Sequence, residues 1–317
     1  MAATSNASRK KESPYTKAGI FRDLSKNRYV YLMAIPVVAF FLVFCYAPMY
    51  GVLIAFQNYK PTLGVLGSSW VGLQNFVEFF SSYYSWRIIR NTFLINLYDL
   101  LFAFPAPILL ALLLNEVKAQ RYKRFVQTVT YMPYFISLVV VASLILEFTS
   151  SRGFIVEILH ALFGIEKRSL MGQAQYFRTV FIGSNIWQSV GFGSILYMAA
   201  LSGIDQEQYE AATIDGAGRW KKMLYVTIPG LAPTIIIMLI LRIGNMMNVG
   251  YEKIILLYNA STYETADVIS SFVYRKGLQE QIYGYSSAVG LFNSVINFSL
   301  LLIANRFSRK ISDTSLW

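Results

Sequence analysis

Residues Tyr29–Phe56 read YVYLMAIPVVAFFLVFCYAPMYGVLIAF, an apolar run with no charged side chain between Arg28 and Lys60. A helix needs about 20 mostly apolar residues to cross the roughly 30 Å hydrocarbon core of a membrane. The run is long enough for this, and it is nearly twice as long as a signal-peptide core of about 7 to 15 residues. We therefore expect a retained transmembrane helix.

Further apolar segments predict additional spans, and they lie at about residues 91–115, 125–146, 179–204, 231–257 and 282–305. The second span contains Asp99, and the fifth is interrupted by Arg242. Hydrophobic residues make up 55% of the 317 residues and charged residues 14%, whereas soluble domains contain about 25% charged residues. We therefore predict an all-α integral membrane protein with about six transmembrane helices.

The positions of Lys and Arg predict the orientation, because short loops rich in these residues stay in the cytoplasm. They crowd the tail 1–28, the connection 118–124 and the tail 306–317. Both termini are then cytoplasmic, and six spans also place the loop 205–230 there. Within the first tail, Ile20, Phe21 and Leu24 would form a short amphipathic helix on the membrane surface.

Several functional classes are disfavoured by composition. The net charge of +11 is divided among loops between long apolar runs, so we expect membrane lipid and no nucleic acid as a partner. His160 is the only histidine, which excludes histidine-based metal clusters and a histidine-containing catalytic triad within the chain. We predict no catalytic residue and no metal site.

The loop 205–230 has the pattern of two short helices joined by a glycine turn. Asp205 is a suitable N-cap for the first helix, and Gly216 permits a sharp turn. Residues 219–226 place apolar side chains largely on one helical face and basic ones on the other. Pro229 and the glycine after it would end the second helix before the fifth span. Periodicity alone also fits an ordinary hairpin on the membrane surface.

The spacing within this loop resembles the EAA signature of permease subunits of binding-protein-dependent ABC importers. The residues that carry the resemblance are Glu210, Ala211, Ala212, Gly216 and Pro229, with Val226 and Ile228 as conservative departures. In that family the loop is the coupling helix that docks on the ATP-binding subunit. The resemblance implies that Glu210 contacts the ATPase, that Ala211 and Ala212 keep the helix slim, and that Gly216 makes the turn.

Other segments are similar to carbohydrate-type importer permeases, in particular the LplB-like polysaccharide branch. They are Trp70–Phe76 (WVGLQNF), Asn248–Tyr258 (NVGYEKIILLY) and Tyr263–Tyr274 (YETADVISSFVY). The resemblance implies a MetI-like bundle in the cell membrane of a bacterium. Its implied partners are a second permease, two ATP-binding cassette subunits, an extracellular, lipid-anchored solute-binding protein, and an oligosaccharide or polysaccharide fragment as cargo. Whether the second permease is a homologue or a second copy stays open.

The chain contains no Walker A pattern, G-x-x-x-x-G-K-[ST], so it lacks the loop that cradles nucleotide phosphates. We therefore expect no cofactor in this chain, with ATP and magnesium bound by the partner ATPase. An ion-driven secondary transporter is the alternative, although the paired repeats typical of that class are absent from the sequence. A membrane enzyme is disfavoured because Asp99, Glu147 and Glu252 lie on different segments without a catalytic spacing.

Polar residues within membrane spans usually face the bundle interior or a wet cavity. Amides and aromatic rings suit a sugar, and our candidates for the substrate path are Trp187, Gln188, Asn245, Asn248, Asn293 and Asn297. Asn245 and Asn248 would share a helical face, as would Asn293 and Asn297. Asp99 and Asn185 could line the same path. Helix packing is the alternative for each residue, and for Arg242, Glu252 and Lys253 we favour a structural role.

Overall fold

The structure is a computed structural model that describes residues 23–24 and 26–311, with side chains up to residue 309. The surface helix expected at Ile20 and Phe21 lies outside the described residues, as do most of the tail 1–28 and residues 312–317. The described residues are mainly helical, as the sequence predicts. The chain divides into two units, one ending at Leu53 and the other beginning at Ile54.

The helical segment Arg28–Phe56 makes up most of the described part of the first unit and runs into the second. It starts as helix α1 (Arg28–Phe40), continues as a π-helix at Phe41–Tyr46 and ends as a 3₁₀-helix at Ala47–Phe56. Every described side chain from residue 26 to residue 50 is exposed. Since a helix that is apolar all round is buried in a core or a membrane, this segment has the properties of a membrane span.

The second unit is built from helices with short connections. In chain order they are α2 (Gly64–Gly67), α3 (Gln74–Ser81), α4 (Tyr83–Tyr98), α5 (Pro105–Glu116), α6 (Gln120–Tyr131), α7 (Leu138–Phe148), α8 (Phe154–Phe163), α9 (Ala174–Ser202), α10 (Gln206–Ile214), α11 (Arg219–Lys222), α12 (Ile228–Gly244), α13 (Tyr251–Leu257), α14 (Tyr263–Ala266), α15 (Ile269–Tyr274) and α16 (Tyr283–Ile311). Shorter 3₁₀ and π segments are Asp99–Ala103, Met132–Phe135, Leu170–Gly172, Met223–Thr227 and Arg275–Gln279.

Fewer helices than the six predicted are long and apolar enough to cross a membrane. Among the described residues there are four, or five if one bent pair is a single span. The four are Arg28–Phe56, Tyr83–Glu116, Arg219–Gly244 and Tyr283–Arg309. Helix α9, which carries most of the predicted fourth span, has 29 residues, but Asn185, Gln188 and Ser189 interrupt its apolar sequence. Its polar face belongs to the cavity described below.

Three π-turns each lie directly before a proline and let the helix continue through it. In each turn the residue before the proline donates its backbone N–H to the carbonyl five residues back, and the pairs are Ala47 to Leu42, Phe104 to Asp99, and Ile228 to Met223. Proline lacks the N–H for the regular bond, and the wider turn accommodates it. The prediction that Pro229 and Gly230 end a helix is therefore wrong, since Arg219–Gly244 is continuous.

Two predicted spans are interrupted. The third is divided between α6 and α7, with a bend of 102° between the segments Gln120–Phe135 and Leu138–Phe148. Ile136 is extended there, and the Ser137 side chain caps the second helix. The fifth stops at Gly244, and residues 251–257 form the separate helix α13. The sequence stays apolar across the break in the third span, whereas Arg242 and the polar residues that follow it gave a signal of the break in the fifth.

The segment Trp70–Phe76 anchors the connection that follows the first helical segment. Strand β1 (Gln57–Asn58) pairs antiparallel with strand β2 (Ser69–Trp70). The Trp70 ring stacks on Phe56 at a centroid distance of 5.7 Å. Nearby, the Asn75 amide donates to the carbonyls of Ala55 and Gln57 at 2.9 and 3.1 Å. The Asn75 side chain thus satisfies these two carbonyls where the chain turns back.

Helix α9 lies at the centre of the second unit and packs closely on α6. A Cβ at Gly191 would lie 2.1 Å from the carbonyl oxygen of Thr130 and 2.8 Å from the nitrogen of Tyr131. On the next turn of the partner segment, Tyr134 stacks on Phe192 at a centroid distance of 3.9 Å. A glycine is required because any side chain at this position would separate the two backbones.

A buried ion cluster joins α4 to the connection between α13 and α16. The Asp267 carboxylate is fully buried and accepts from Arg275 at 2.7 Å and from Arg87 at 3.5 Å. Ser271 also donates to it, at 2.9 Å. Burial lowers the pKa of Arg275, but the hydrogen bonds and charge of Asp267 outweigh burial and raise that pKa above its ordinary value. Arg275 therefore stays charged throughout the physiological pH range.

Candidate functional site

A cavity of about 620 Å³ lies between the α4–α5 segment, α9 and α12. Its wall combines carboxylate, guanidinium, amide and hydroxyl groups with aromatic and aliphatic ones. The lining residues are Asp99, Ala103, Phe104, Pro107, Tyr134, Asn185, Gln188, Ser189, Gly193, Tyr197, Met238, Leu241, Arg242 and Asn245. A cavity with apolar walls and a few convergent polar groups can hold and orient a small molecule.

An ion pair spans the cavity between two helices that are far apart in sequence. Arg242, near the end of α12, donates to the carboxylate of Asp99 in the π-turn after α4. The Asp99 side chain is 9% exposed and that of Arg242 is 42% exposed. The carboxylate is therefore enclosed, while part of the guanidinium faces the cavity. The π-turn places Asp99 here, in keeping with the frequent use of such turns at functional sites.

Further polar groups extend this pair along α9. The Asn185 amide donates to Asp99 Oδ1 at 3.3 Å. Lys253 of α13 donates to Asn185 Oδ1 at 2.7 Å and to Gln188 Oε1 at 3.4 Å. Charge and hydrogen bonding thus connect α4, α9, α12 and α13 within one network.

Sequence reasoning assigned Arg242 and Lys253 a structural role, and the structure places both in this network. The available signal was a charged side chain within or beside an apolar segment, which is a functional hypothesis by default. What the sequence lacked was the partner. Asp99 and Arg242 are separated by 143 positions, and only the packing of the helices brings them together.

Of the predicted path residues, Gln188 and Asn245 line the cavity. Trp187 lies elsewhere, in a separate groove of about 350 Å³ with apolar neighbours that include Ile145 and Phe148. Adjacent residues of a helix point about 100° apart. Trp187 and Gln188 therefore face different surroundings, and the structure does not bring them together.

The remaining three predicted path residues hold the turn after α12. Asn293 donates to Asn248 Oδ1 at 2.9 Å, and Asn297 accepts the backbone N–H of Met247 at 2.8 Å. None of the three is among the residues that line the cavity. The prediction that Asn245 and Asn248 share a helical face is wrong, because α12 ends at Gly244. Asn293 and Asn297 do share one, within α16.

The loop 205–230 begins with a capped helix and turns at a glycine, as predicted. The Asp205 carboxylate accepts the backbone N–H of Glu207 at 3.0 Å. Gly216 has a φ of +74°, and the N–H of Ala217 bonds to the carbonyl of Ala212 at 2.9 Å. This bond is that of a Schellman motif, which satisfies carbonyls at the end of a helix.

One face of this loop is anchored and the other is exposed. The Tyr209 hydroxyl lies 3.0 Å from Thr227 Oγ1, and Lys222 donates to Thr213 Oγ1 at 2.7 Å. These bonds tie α10 to the end of α11 and to the π-turn that follows it. Several side chains are exposed on the other face, including Glu210, Ile214 (87% exposed) and Trp220 (75% exposed). Large exposed apolar side chains beside charged ones are typical of a protein interaction surface.

Comparison with known proteins decides the family. The family model of the binding-protein-dependent transport system inner membrane component matches residues 103–313. The chain belongs to this family. It is therefore a membrane permease component of an ABC transporter rather than an enzyme, and its predicted all-α fold class is confirmed. The matched region contains the cavity-lining helices from the end of the π-turn onward, together with the entire 205–230 loop.

Two relatives of this permease from Bacillus subtilis (strain 168) cover nearly the whole chain. Protein LplB is 43% identical over 314 residues, which is 98% of each chain. The polygalacturonan/rhamnogalacturonan transport system permease protein YteP is 40% identical over 93% of this chain and 92% of its own length. The LplB-like resemblance recognised in the sequence is thus confirmed.

A solved structure shows the same fold. It is a crystal structure of a bacterial alginate ABC transporter in complex with an alginate pentasaccharide-bound periplasmic protein. One of its chains matches with a TM-score of 0.86 and 41% identity, over 94% of this permease and 99% of that chain. The level of identity and the extent of the match support a shared architecture along nearly all of the chain.

Proposed function

We propose that this permease forms half of the translocation path of an importer for an oligosaccharide or polysaccharide fragment. The observation that carries the proposal is the polar cavity between α4–α5, α9 and α12 in a chain of this family. Amide and charged groups suit sugar hydroxyls, and the rings of Phe104, Tyr134 and Tyr197 suit apolar sugar faces. Relatives named for polygalacturonan, alginate and arabinooligosaccharides support a saccharide cargo.

ATP binding and hydrolysis in two partner ATP-binding cassette subunits would drive the transport. A second permease would complete the path, and a solute-binding protein, lipid-anchored outside the cell membrane, would deliver the cargo. ATP and magnesium belong to the ATPases in this scheme. The solved alginate transporter, which is described in complex with a saccharide-bound periplasmic protein, supports the partnership with a binding protein.

The loop 205–230 would couple the ATPase to the cavity. Its exposed face offers Glu210 for a polar contact and Ile214 and Trp220 for apolar ones, while Ala211 and Ala212 keep α10 slim. Gly216 makes the turn, and the continuous helix through Pro229 connects the loop directly to α12. Because α12 carries Arg242 and Asn245 directly follows its last residue, a movement of the docked loop would be transmitted to the cavity wall.

Reconstitution with the partner subunits tests this proposal. We expect one glycan-loaded binding protein to stimulate the ATPase, and ion-driven uptake by the chain alone would contradict the proposal in favour of the secondary transporter.

Two variants test the coupling loop itself. We expect Glu210→Lys and Gly216→Val to uncouple or dissociate the ATPase. The matched controls are Glu166→Lys, an exposed charge reversal outside the loop, and Gly218→Val, where φ is −71° and a side chain is tolerated, in contrast to the φ of +74° at Gly216. If both loop variants retained wild-type ATPase assembly and transport, the coupling assignment would be wrong.

A further inference from the structure

Lys253 is a buried cation beside the cavity. Its residue is 6% exposed, and its ammonium lies 5.6 Å from the centroid of the Phe181 ring. The hydrogen-bond acceptors that it contacts are Asn185 Oδ1 and Gln188 Oε1, at 2.7 and 3.4 Å. A buried charge is costly unless it is paired. Whether Lys253 has a counterion therefore decides whether it would attract a negatively charged group.

The network around the cavity carries an excess positive charge. It contains one carboxylate, Asp99, and two cations, Arg242 and Lys253. Asp99 is paired with Arg242, and none of the ion pairs formed by the described residues includes Lys253. A further negative charge entering the cavity would therefore be stabilised.

Lys253 also determines which atoms the cavity wall presents. An ammonium group only donates, so it fixes the carbonyl oxygens of Asn185 and Gln188 towards itself. The amide of Asn185 then donates to Asp99 Oδ1 at 3.3 Å, and the NH₂ group of Gln188 is turned away from Lys253. The wall is thus biased towards donors, with the half-exposed guanidinium of Arg242 beside them. Carboxylate oxygens are the acceptors that such donors bind most strongly.

We propose that Lys253 is a specificity-determining residue that makes this cavity select saccharides bearing carboxylates. It acts as a positioning residue, through Asn185 and Gln188 and through its uncompensated charge. The inference rests on the proposed saccharide transport and goes beyond it. The relatives differ in the charge of their named cargo. Polygalacturonan and alginate, named for proteins of 40% and 42% identity, are acidic polymers, whereas the arabinooligosaccharides named for a relative of 28% identity carry no carboxylate.

The experiment uses the reconstituted importer with its binding protein and two probes, trigalacturonate and its fully methyl-esterified form. These have the same sugar chain and differ in charge. For each probe we measure the concentration that gives half-maximal stimulation of the ATPase. The preference for the acid is the value for the ester divided by the value for the acid. Because every sample contains the same binding protein, a change in this ratio between wild type and variant comes from the permease.

We expect Lys253→Met to reduce the preference for the acid by about tenfold. A change of this size is consistent with Coulomb attraction between the ammonium group and a carboxylate in a partly buried site. Lys253→Gln, which keeps a donor but loses the charge, should reduce it as well and serves if the Met variant does not fold. Lys253→Arg should keep it. The control Lys276→Met removes a cation that pairs with Glu280 away from the cavity and should also keep it.

An unchanged ratio in both neutral variants would overturn the role of Lys253 and leave saccharide transport standing. So would stimulation of the wild-type importer by neutral saccharides alone. If no saccharide of either charge stimulated the ATPase, the proposed function would fail, and this inference would fail with it.

Discussion

Replacing Gly191 by alanine is predicted to destabilise the permease through a clash between two backbones. The added Cβ would lie 2.1 Å from the carbonyl oxygen of Thr130, whereas ordinary contact begins at 3.4 Å. Helices α9 and α6 would have to separate by about 1.3 Å, the difference between these distances. Overpacking costs about 1–3 kcal/mol, and we expect about 3 kcal/mol because a backbone carbonyl cannot rotate away.

Thermal unfolding of the purified protein in detergent measures this effect, with Gly183→Ala as the matched control. Gly183 lies on the same helix, and a Cβ there would meet nothing within 4 Å. Alanine is favoured over glycine in a helix by about 1 kcal/mol, so the control should unfold at the wild-type temperature or above it. The reasoning would be refuted if the two alanine variants unfolded at the same temperature.

Two further predictions concern buried polar groups and use the same unfolding assay. Asp267→Asn removes the fully buried carboxylate that pairs with the partly buried guanidinium of Arg275 and should cost about 3–5 kcal/mol. The control Glu280→Gln breaks an exposed pair worth about 0–1 kcal/mol, and equal losses would contradict the prediction. Asn297→Leu leaves a buried backbone N–H unsatisfied and should cost about 1–3 kcal/mol. Its control is Ser299→Ala, an exposed change on the same helix, and Asn297→Leu unfolding no earlier than that control would show that the turn does not need the bond.

Local features of the sequence predicted local features of the fold. The capped helix at Asp205 and the turn at Gly216 depend on residues within a few positions of one another, so spacing was sufficient to predict them. The end of a helix at Pro229 was predicted by the same reasoning and was wrong. A π-turn satisfies the backbone before a proline at small cost, and whether it forms depends on what the following helix packs against.

The cavity was only partly accessible to sequence reasoning. Gln188 and Asn245 stood out as polar residues in apolar segments, and both lie in its wall. Asn293 and Asn297 had the same signal, but they bind the turn after α12. Sequence alone cannot separate these cases. An amide that lines a path and an amide that satisfies a buried backbone group both occur as isolated polar residues in apolar helical segments.

The apolar run Tyr29–Phe56 and the later apolar segments were sufficient to predict a helical membrane protein. The free energy of transferring a segment from water to the membrane is a sum over its own residues, so it can be read from the sequence. Tertiary structure alone decided where those segments break and how their charges are neutralised. Asp99 is separated by 143 positions from Arg242 and by still more from Lys253, and the energy of each buried charge depends on the groups that packing places around it. The excess positive charge of the cavity is therefore a property of the assembled helices.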